Sequence, residues 1–158
     1  MGRLSHFDES GASRMVDVGD KHVSRRLARA SGLVRMAAET MILIRDKQAA
    51  KGDVLEVARL AGIMAAKRTG ELIPLCHPLP IEAVSVDFAF ADEQTIRIEA
   101  TVQIEAKTGI EMESLTAVTI AALTIYDMCK SVDRGITIEQ IQLEEKSGGR
   151  SGHWRRKT

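Results

Sequence analysis

Two neighbouring stretches constrain the fold of this 158-residue chain more than any other feature. Val84, Val86, Phe88 and Phe90 alternate with Ser85, Asp87 and Ala89. Ile96, Ile98, Ala100, Val102 and Ile104 alternate with Arg97, Glu99, Thr101, Gln103 and Glu105. A period of two sends successive side chains to opposite faces of a strand, so both stretches belong to a sheet with one buried face. The polar residues 91–94 (ADEQ) between them make a hairpin turn. Such a face needs a second layer, which the rest of the chain must supply as helices.

Helical spacing supplies it twice. Val54, Val57, Ala58, Ala61, Met64 and Ala65 follow a period of 3.6, with Asp53 placed to cap the helix. Lys67 and Arg68 suit its last turn, and Gly70 its stop. A longer helix spans 111–130, with Leu115, Val118, Ala122, Ile125 and Cys129 as its inner stripe. Residues 37–44 (AAETMILI) form a short extra helix, 25–36 a strand, and Ile136, Ile138, Ile141 and Leu143 mark a last strand. All three prolines fall within 72–80 (LIPLCHPLP), which forbids helix and demands an extended, stiff connection. Met15-Val16-Asp17-Val18 suits a short strand or a strap over a partner.

Setting the extra helix aside, the order is β-α-β-β-α-β. It predicts one domain over 1–158, a ferredoxin-like α+β sandwich with an antiparallel sheet, whose ends 1–22 and 147–158 are flexible. This architecture leaves one sheet face without helices. If Val, Ile and Phe lie on that face, another subunit must cover it, so self-association is expected.

Composition excludes several function classes. Lys plus Arg and Asp plus Glu are 22 each, so bulk charge attracts neither nucleic acid nor a membrane surface. No apolar run is long enough to span a bilayer, and the polar start MGRLSHFDES has no signal-peptide core, so a cytoplasmic protein is expected. The two cysteines, Cys76 and Cys129, make neither a disulfide scaffold nor a C-x-x-C pair, and no metal site is expected.

Four clusters hold residues able to do chemistry. His77 sits among Pro74, Pro78 and Pro80, a held imidazole that can bind phosphate or move a proton, or serve as an ordinary loop histidine. Lys107, Gly109, Glu111 and Glu113 stand at a helix start, where carboxylates also favour the helix dipole. Asp127 and Lys130 are neighbours on one helix face, a solvated ion pair on spacing alone and a coupled acid–base pair if desolvated. Lys146-Ser147-Gly148-Gly149-Arg150 can wrap a phosphate with backbone amides, though it is no Walker loop. Glu113 and Asp127 lie about 40° apart around their helix but roughly 21 Å apart along its axis. If both act on one ligand, the pocket is built from two subunits.

The ordered set KGDV (51–54), AAKRT (65–69), LIPLCHP (72–78), KTGIEME (107–113), AALTIYDMCK (121–130) and KSGG (146–149) resembles the molybdenum cofactor biosynthesis protein C family, the cyclic pyranopterin monophosphate synthases. The resemblance runs from about residue 5 to residue 152. It implies a ferredoxin-like fold with an added helix, and a hexamer of three dimers with the active site at the dimer interface. The implied lyase reaction converts 3′,8-cyclo-7,8-dihydroguanosine triphosphate, supplied by a radical S-adenosylmethionine enzyme, to cyclic pyranopterin monophosphate and pyrophosphate. It implies catalytic roles for Asp127, Lys130 and Lys51. It implies substrate contacts for Leu75, Cys76, His77, Met112, Glu113 and Glu111, with Arg26 and Lys146 as cations near the phosphates. No resident cofactor is implied; Mg²⁺ can travel with the triphosphate. Gly70 stands where the family commonly has a bulkier residue, and the tail 153–158 matches nothing. A nucleotide-sensing module without turnover is the main rival. An RNA-binding domain would need a basic, Gly-containing consensus around Phe88 and Phe90 that is missing. A purely structural oligomer would leave the placement of Lys and His unexplained.

Overall fold

β1 (Ser24–Arg35) takes the centre of the sheet because its even-numbered residues are small. In the computed structural model, which describes residues 10–157, Ala28, Ala30 and Val34 are fully buried. A Cβ on Gly32 would stand 2.7 Å from Val118 Cγ1 and 3.3 Å from Ile141 Cγ1. A long helix therefore packs almost directly on the strand backbone.

The antiparallel sheet has the order β2-β3-β1-β4-β5. β2 (Ala83–Phe90) pairs with β3 (Thr95–Ala106) in the predicted hairpin, and β3 pairs with β1 so that Ala30 faces Ala100. β4 (Thr137–Ser147) flanks the other side of β1, and β5 (Trp154–Arg155) pairs with β4. The first four strands give the expected ferredoxin-like arrangement.

Four helices make up the crossovers: α1 (Ala38–Arg45), α2 (Val54–Lys67) and α3 (Thr69–Leu72) between β1 and β2, and α4 (Glu111–Cys129) between β3 and β4. Asp53 caps α2 by accepting from Glu56 N at 3.2 Å. α2 and α4 share one core with the even-numbered residues of β1 and β3. Their seam is made of Ala58, Gly62 and Ala66 against Ala117, Ala121 and Ala122. At Gly62 a Cβ would lie 2.9 Å from the Ala117 carbonyl oxygen, an atom that cannot move aside. With few aromatic residues available, the core gains its contact by close approach rather than by bulk.

The structure departs from the periodicity in four places. The helix predicted to stop at Gly70 ends at Lys67, capped by Arg68, and Gly70 sits inside α3. A Cβ on Gly70 would meet the Pro78 backbone at 3.1 Å, so that glycine seats the proline-rich segment on the helix. The segment 72–80 is not extended throughout: Cys76 N donates to Ile73 O, closing a turn at Pro74-Leu75 before the extended part. The last strand runs on to Ser147, and the tail returns as β5, held by Arg156 N and Nε on the Glu144 and Leu143 carbonyls, each at 2.8 Å. α4 buries Thr116, Ala117, Ala121 and Met128 besides the expected stripe, because it lies between the sheet and α2.

The face without helices is not apolar. Val86, Ile96 and Ile98 all belong to the helix-covered core. The opposite face is a lattice of charges in which Arg29 pairs with Glu99 at 3.0 Å and Glu145 at 3.1 Å. Arg97 pairs with Glu144 at 3.1 Å, and Glu144 also accepts from Ser31 and Gln142. The expectation that an apolar sheet face demands a partner is thus corrected: polar residues occupy it, odd-numbered on β1 and β3 and shifted in parity along β4 by a bulge. Among the exposed apolar side chains, Val57, Leu60 and Met64 lie on α2 and Leu123 on α4, besides Phe90 on β2, Ile141 on β4 and Trp154 on β5.

Candidate functional site

The site residues gather in two places, at the two ends of α4. Each follows from where that helix starts and stops.

At its start, Gly109 leads into Ile110, which has no side chain to cap the first-turn amides. A cavity of about 470 Å³ opens there. The proline-held segment brings Leu75, Cys76 and His77 to one wall, α4 brings Glu111, Met112 and Glu113 to another, and Lys146 arrives from the end of β4. Seven of the expected residues thus converge from three separate segments. Val16 of the 15–18 segment also lines this cavity, so that segment lies along its own chain's pocket and forms no strand there. Lys146 Nζ holds Glu111 Oε1 at 2.7 Å, tying β4 to the helix start.

Glu113 is the electrostatically unusual member. It is 4% exposed. Burial pushes its carboxyl up to about 7, with the charge of Glu111 adding to the effect. A carboxyl near 7 can give or accept a proton at neutral pH. Burial likewise raises the Cys76 thiol, with Glu113 adding, so Cys76 stays a thiol rather than a nucleophilic thiolate.

This has a consequence for stability. Between the ordinary glutamic value of 4.5 and about 7, the folded state holds a proton that the unfolded state has lost. The contribution is full below that window and disappears as pH rises through it. Wild type is therefore expected to lose stability relative to Glu113→Gln between pH 5 and pH 8, by up to about 3 kcal/mol. Denaturant midpoints across that range measure it; parallel profiles for the two proteins would mean an ordinary carboxyl.

At the far end of α4, Asp127 and Lys130 meet as spacing predicts. Lys130 Nζ donates to Asp127 Oδ1 at 2.6 Å. Lys51, from the loop before α2, donates to the Asp127 carbonyl at 3.0 Å and stands 3.8 Å from Oδ2. All three are solvated on this single chain, the side chains of Asp127 and Lys130 being 61% and 51% exposed. The hydrogen bond and charge of Lys130, then Lys51, hold the Asp127 carboxyl below its usual range. Asp127 in turn raises Lys130. The pair is a carboxylate flanked by two ammonium groups.

Arg26 stands beside the first cluster, lining a small cavity with Glu111 and Lys146. It is buried, donates from Nε to Ala106 O at 3.2 Å, and lines an adjoining cavity. No group of three or more His, Cys, Asp or Glu suited to a metal occurs among the described residues. None of their helices is long and apolar enough to cross a membrane.

Sequence reasoning missed Val16, Lys21, Leu79 and Thr108 in the His77 cavity. Thr108 stood beside Lys107 in a string already singled out. Nothing in the spacing could place residues 16 and 21 against it.

The MoaC family model matches residues 15–149. The chain is 63% identical over 155 residues to cyclic pyranopterin monophosphate synthase 3 of Mycobacterium tuberculosis, covering 98% of this chain and 88% of that relative. It is 60% identical over 157 residues to the cyclic pyranopterin monophosphate synthase of Thermomicrobium roseum, covering 99% and 95%. With that of Novosphingobium aromaticivorans it shares 56% over 155 residues, 98% of each chain.

Proposed function

The chain belongs to the MoaC family, and from that premise we propose that it converts 3′,8-cyclo-7,8-dihydroguanosine triphosphate to cyclic pyranopterin monophosphate, releasing pyrophosphate. It is an enzyme, and its place is molybdenum cofactor biosynthesis. A radical S-adenosylmethionine enzyme supplies the substrate. The observation that supports the finer reading most is the convergence of Leu75, Cys76, His77, Glu111, Met112, Glu113 and Lys146 on one cavity.

That cavity takes the guanine-derived ring. Glu113, buried and near neutral, meets the ring's N–H groups, and His77 faces the ribose and its phosphate. The Asp127 carboxylate, with Lys130 and Lys51, moves protons as the ring opens and recloses as a pterin. A ribose-derived hydroxyl oxygen then attacks the α-phosphorus. Its proton goes to a base of the site, the bond from the α-phosphorus to the bridging oxygen breaks, and pyrophosphate leaves. The reaction involves no net redox change and calls on no resident cofactor; Mg²⁺ accompanies the triphosphate.

The two clusters lie roughly 21 Å apart along α4, too far for one small ligand. The working site therefore joins the start of α4 from one copy to the end of α4 from another. The assembly is a homohexamer of three dimers, and the protein works in the cytoplasm without nucleic-acid or membrane partners. The outward Val57, Leu60, Met64 and Leu123 support self-association, because exposed apolar side chains grouped on packed helices favour a protein contact.

The test mixes purified protein with enzymatically prepared substrate and follows pyrophosphate together with the fluorescence of the oxidised pterin. Both products are expected to appear in step. Tight binding without either product would mean a nucleotide sensor.

A further inference from the structure

The end of α4 is tied at two points to the segment that carries Lys51. One is the contact of Lys51 with Asp127, at 3.0 Å to the carbonyl and 3.8 Å to Oδ2. The other is Asp133, in the turn directly after the helix, where Cys129 O accepts from Val132 N at 2.9 Å and from Asp133 N at 3.0 Å. Asp133 Oδ2 accepts from Ala37 N at 2.9 Å and from Thr40 Oγ1 at 3.2 Å, and Oδ1 accepts from Gly135 N at 2.9 Å. Ala37 is the N-cap of α1 and offers no side-chain cap of its own. A carboxylate from a distant segment therefore does the capping, and its charge suits a helix start. These bonds, that from Ala37 N foremost, hold the Asp133 carboxyl below its ordinary range.

The staple reaches Lys51 through α1, a helix about 12 Å long. Met41 and Ile44 of α1 share one core with Ile125, Met128 and Cys129 of α4. Apolar burial is non-directional, so it holds the helix in the core without fixing its place along α4. Hydrogen bonds at the first turn of α1 supply that direction. Beyond Arg45 the loop is braced to the helices on both sides. Lys47 N donates to Ile44 O at 3.2 Å and Gln48 N to Leu43 O at 2.9 Å. Lys47 Nζ stands 2.8 Å from Asp53 Oδ2, the side chain that caps α2. Gly52, at φ 96°, donates to Ala49 O at 3.0 Å. A loop braced in this way follows α1 rather than absorbing its movement, and Lys51 follows with it.

We propose that Asp133 is a positioning residue for the Asp127 cluster: by capping α1 from the turn after α4, it fixes Lys51 against Asp127. The proposal rests on the roles given above to Asp127 and Lys51. It adds a residue that acts through them from the other end of α1.

The test follows the titration of the Asp127 carboxyl by carbon-13 NMR in the full chain, without substrate. Lys130 on its own helix and Lys51 from the loop are the charges that hold it low. Lys51→Ala is expected to raise its midpoint, and Asp133→Ala to raise it by less. Removing the charge of Asp133 would by itself lower the midpoint, so a rise has the opposite sign to the direct electrostatic effect. Asp133→Asn removes that charge but keeps an acceptor for α1, and should give no rise. In the Lys51→Ala background Asp133→Ala should add no further rise. In turnover Asp133→Ala should lower kcat roughly tenfold with KM within about twofold of wild type, and should cost much less where Lys51 is already absent. A midpoint that fails to rise in Asp133→Ala, or in Lys51→Ala, overturns the proposal. So does an equal loss of kcat in both backgrounds, which is what a purely structural cap would give. The expected midpoints in a chain that makes no pterin would keep the placement of Lys51 by Asp133 and sink the reaction instead.

Discussion

Asp127→Ala is expected to lower kcat by roughly 10²–10⁴-fold, the range that one positioned acid or base contributes. The side chain is 61% exposed and its hydrogen bond is to Lys130 on the same helix. Removing it opens no cavity, so stability should change by no more than about 0.5 kcal/mol. The loss would then be chemical. Lys130 holds the carboxylate ionised, with help from Lys51, so the group lost is a base rather than an acid at neutral pH. Pyrophosphate and pterin should fall together, because one carboxylate serves steps that share an intermediate. A rate within threefold of wild type would remove Asp127 from the chemistry. Loss of pyrophosphate release with retained pterin formation would restrict it to the phosphate step.

Mixing two dead variants should restore activity. His77→Ala damages the cluster at the start of α4 and Asp127→Ala the cluster at its end. If each site takes one cluster from each of two copies, a mixed pair has one site with both defects and one with neither. Random pairing of equal amounts then gives about a quarter of wild-type activity, since half of the pairs are mixed and half of their sites are intact. Unmixed, each variant should stay near background. If one chain's own two clusters served one site, mixing would give only the average of the two backgrounds. The measurement is the specific activity of co-refolded chains against the same chains combined without refolding.

Much of this was legible in the residues, and the places where it was not have physical reasons. The hairpin 83–106 and α4 follow from sustained periods of two and 3.6, signals long enough to outvote local exceptions. The end of α2 was harder, because Lys67, Arg68 and Gly70 make an ordinary helix stop, whereas here Gly70 is needed for contact with Pro78. β5 has two residues and no apolar pattern, and its pairing with Glu145 and Lys146 of β4 defines it. Faces were the larger difficulty. Alternation shows that one side of a strand is buried but not which layer buries it, so the charged lattice around Arg29 and Glu144 came only with the third dimension. Of the site, the Asp127–Lys130 pair could be read from spacing of three on a helix. The meeting of His77, Glu113 and Lys146 could not, since it depends on how β4 and the proline segment pass the start of α4.

The seam of Ala58, Gly62 and Ala66 on Ala117, Ala121 and Ala122 reverses the usual map of mutational risk. In a core of leucine and phenylalanine, truncation is the grave injury, because it leaves a hole. Here there is little to truncate. Alanine to glycine at the seam removes one methyl and some helix preference, a modest loss. One added methyl at position 62 has to push against a peptide oxygen, and the displaced helix bears a site cluster at each end. Enlargement, not loss, is the change that this interior tolerates worst, and its effects would reach turnover as readily as stability.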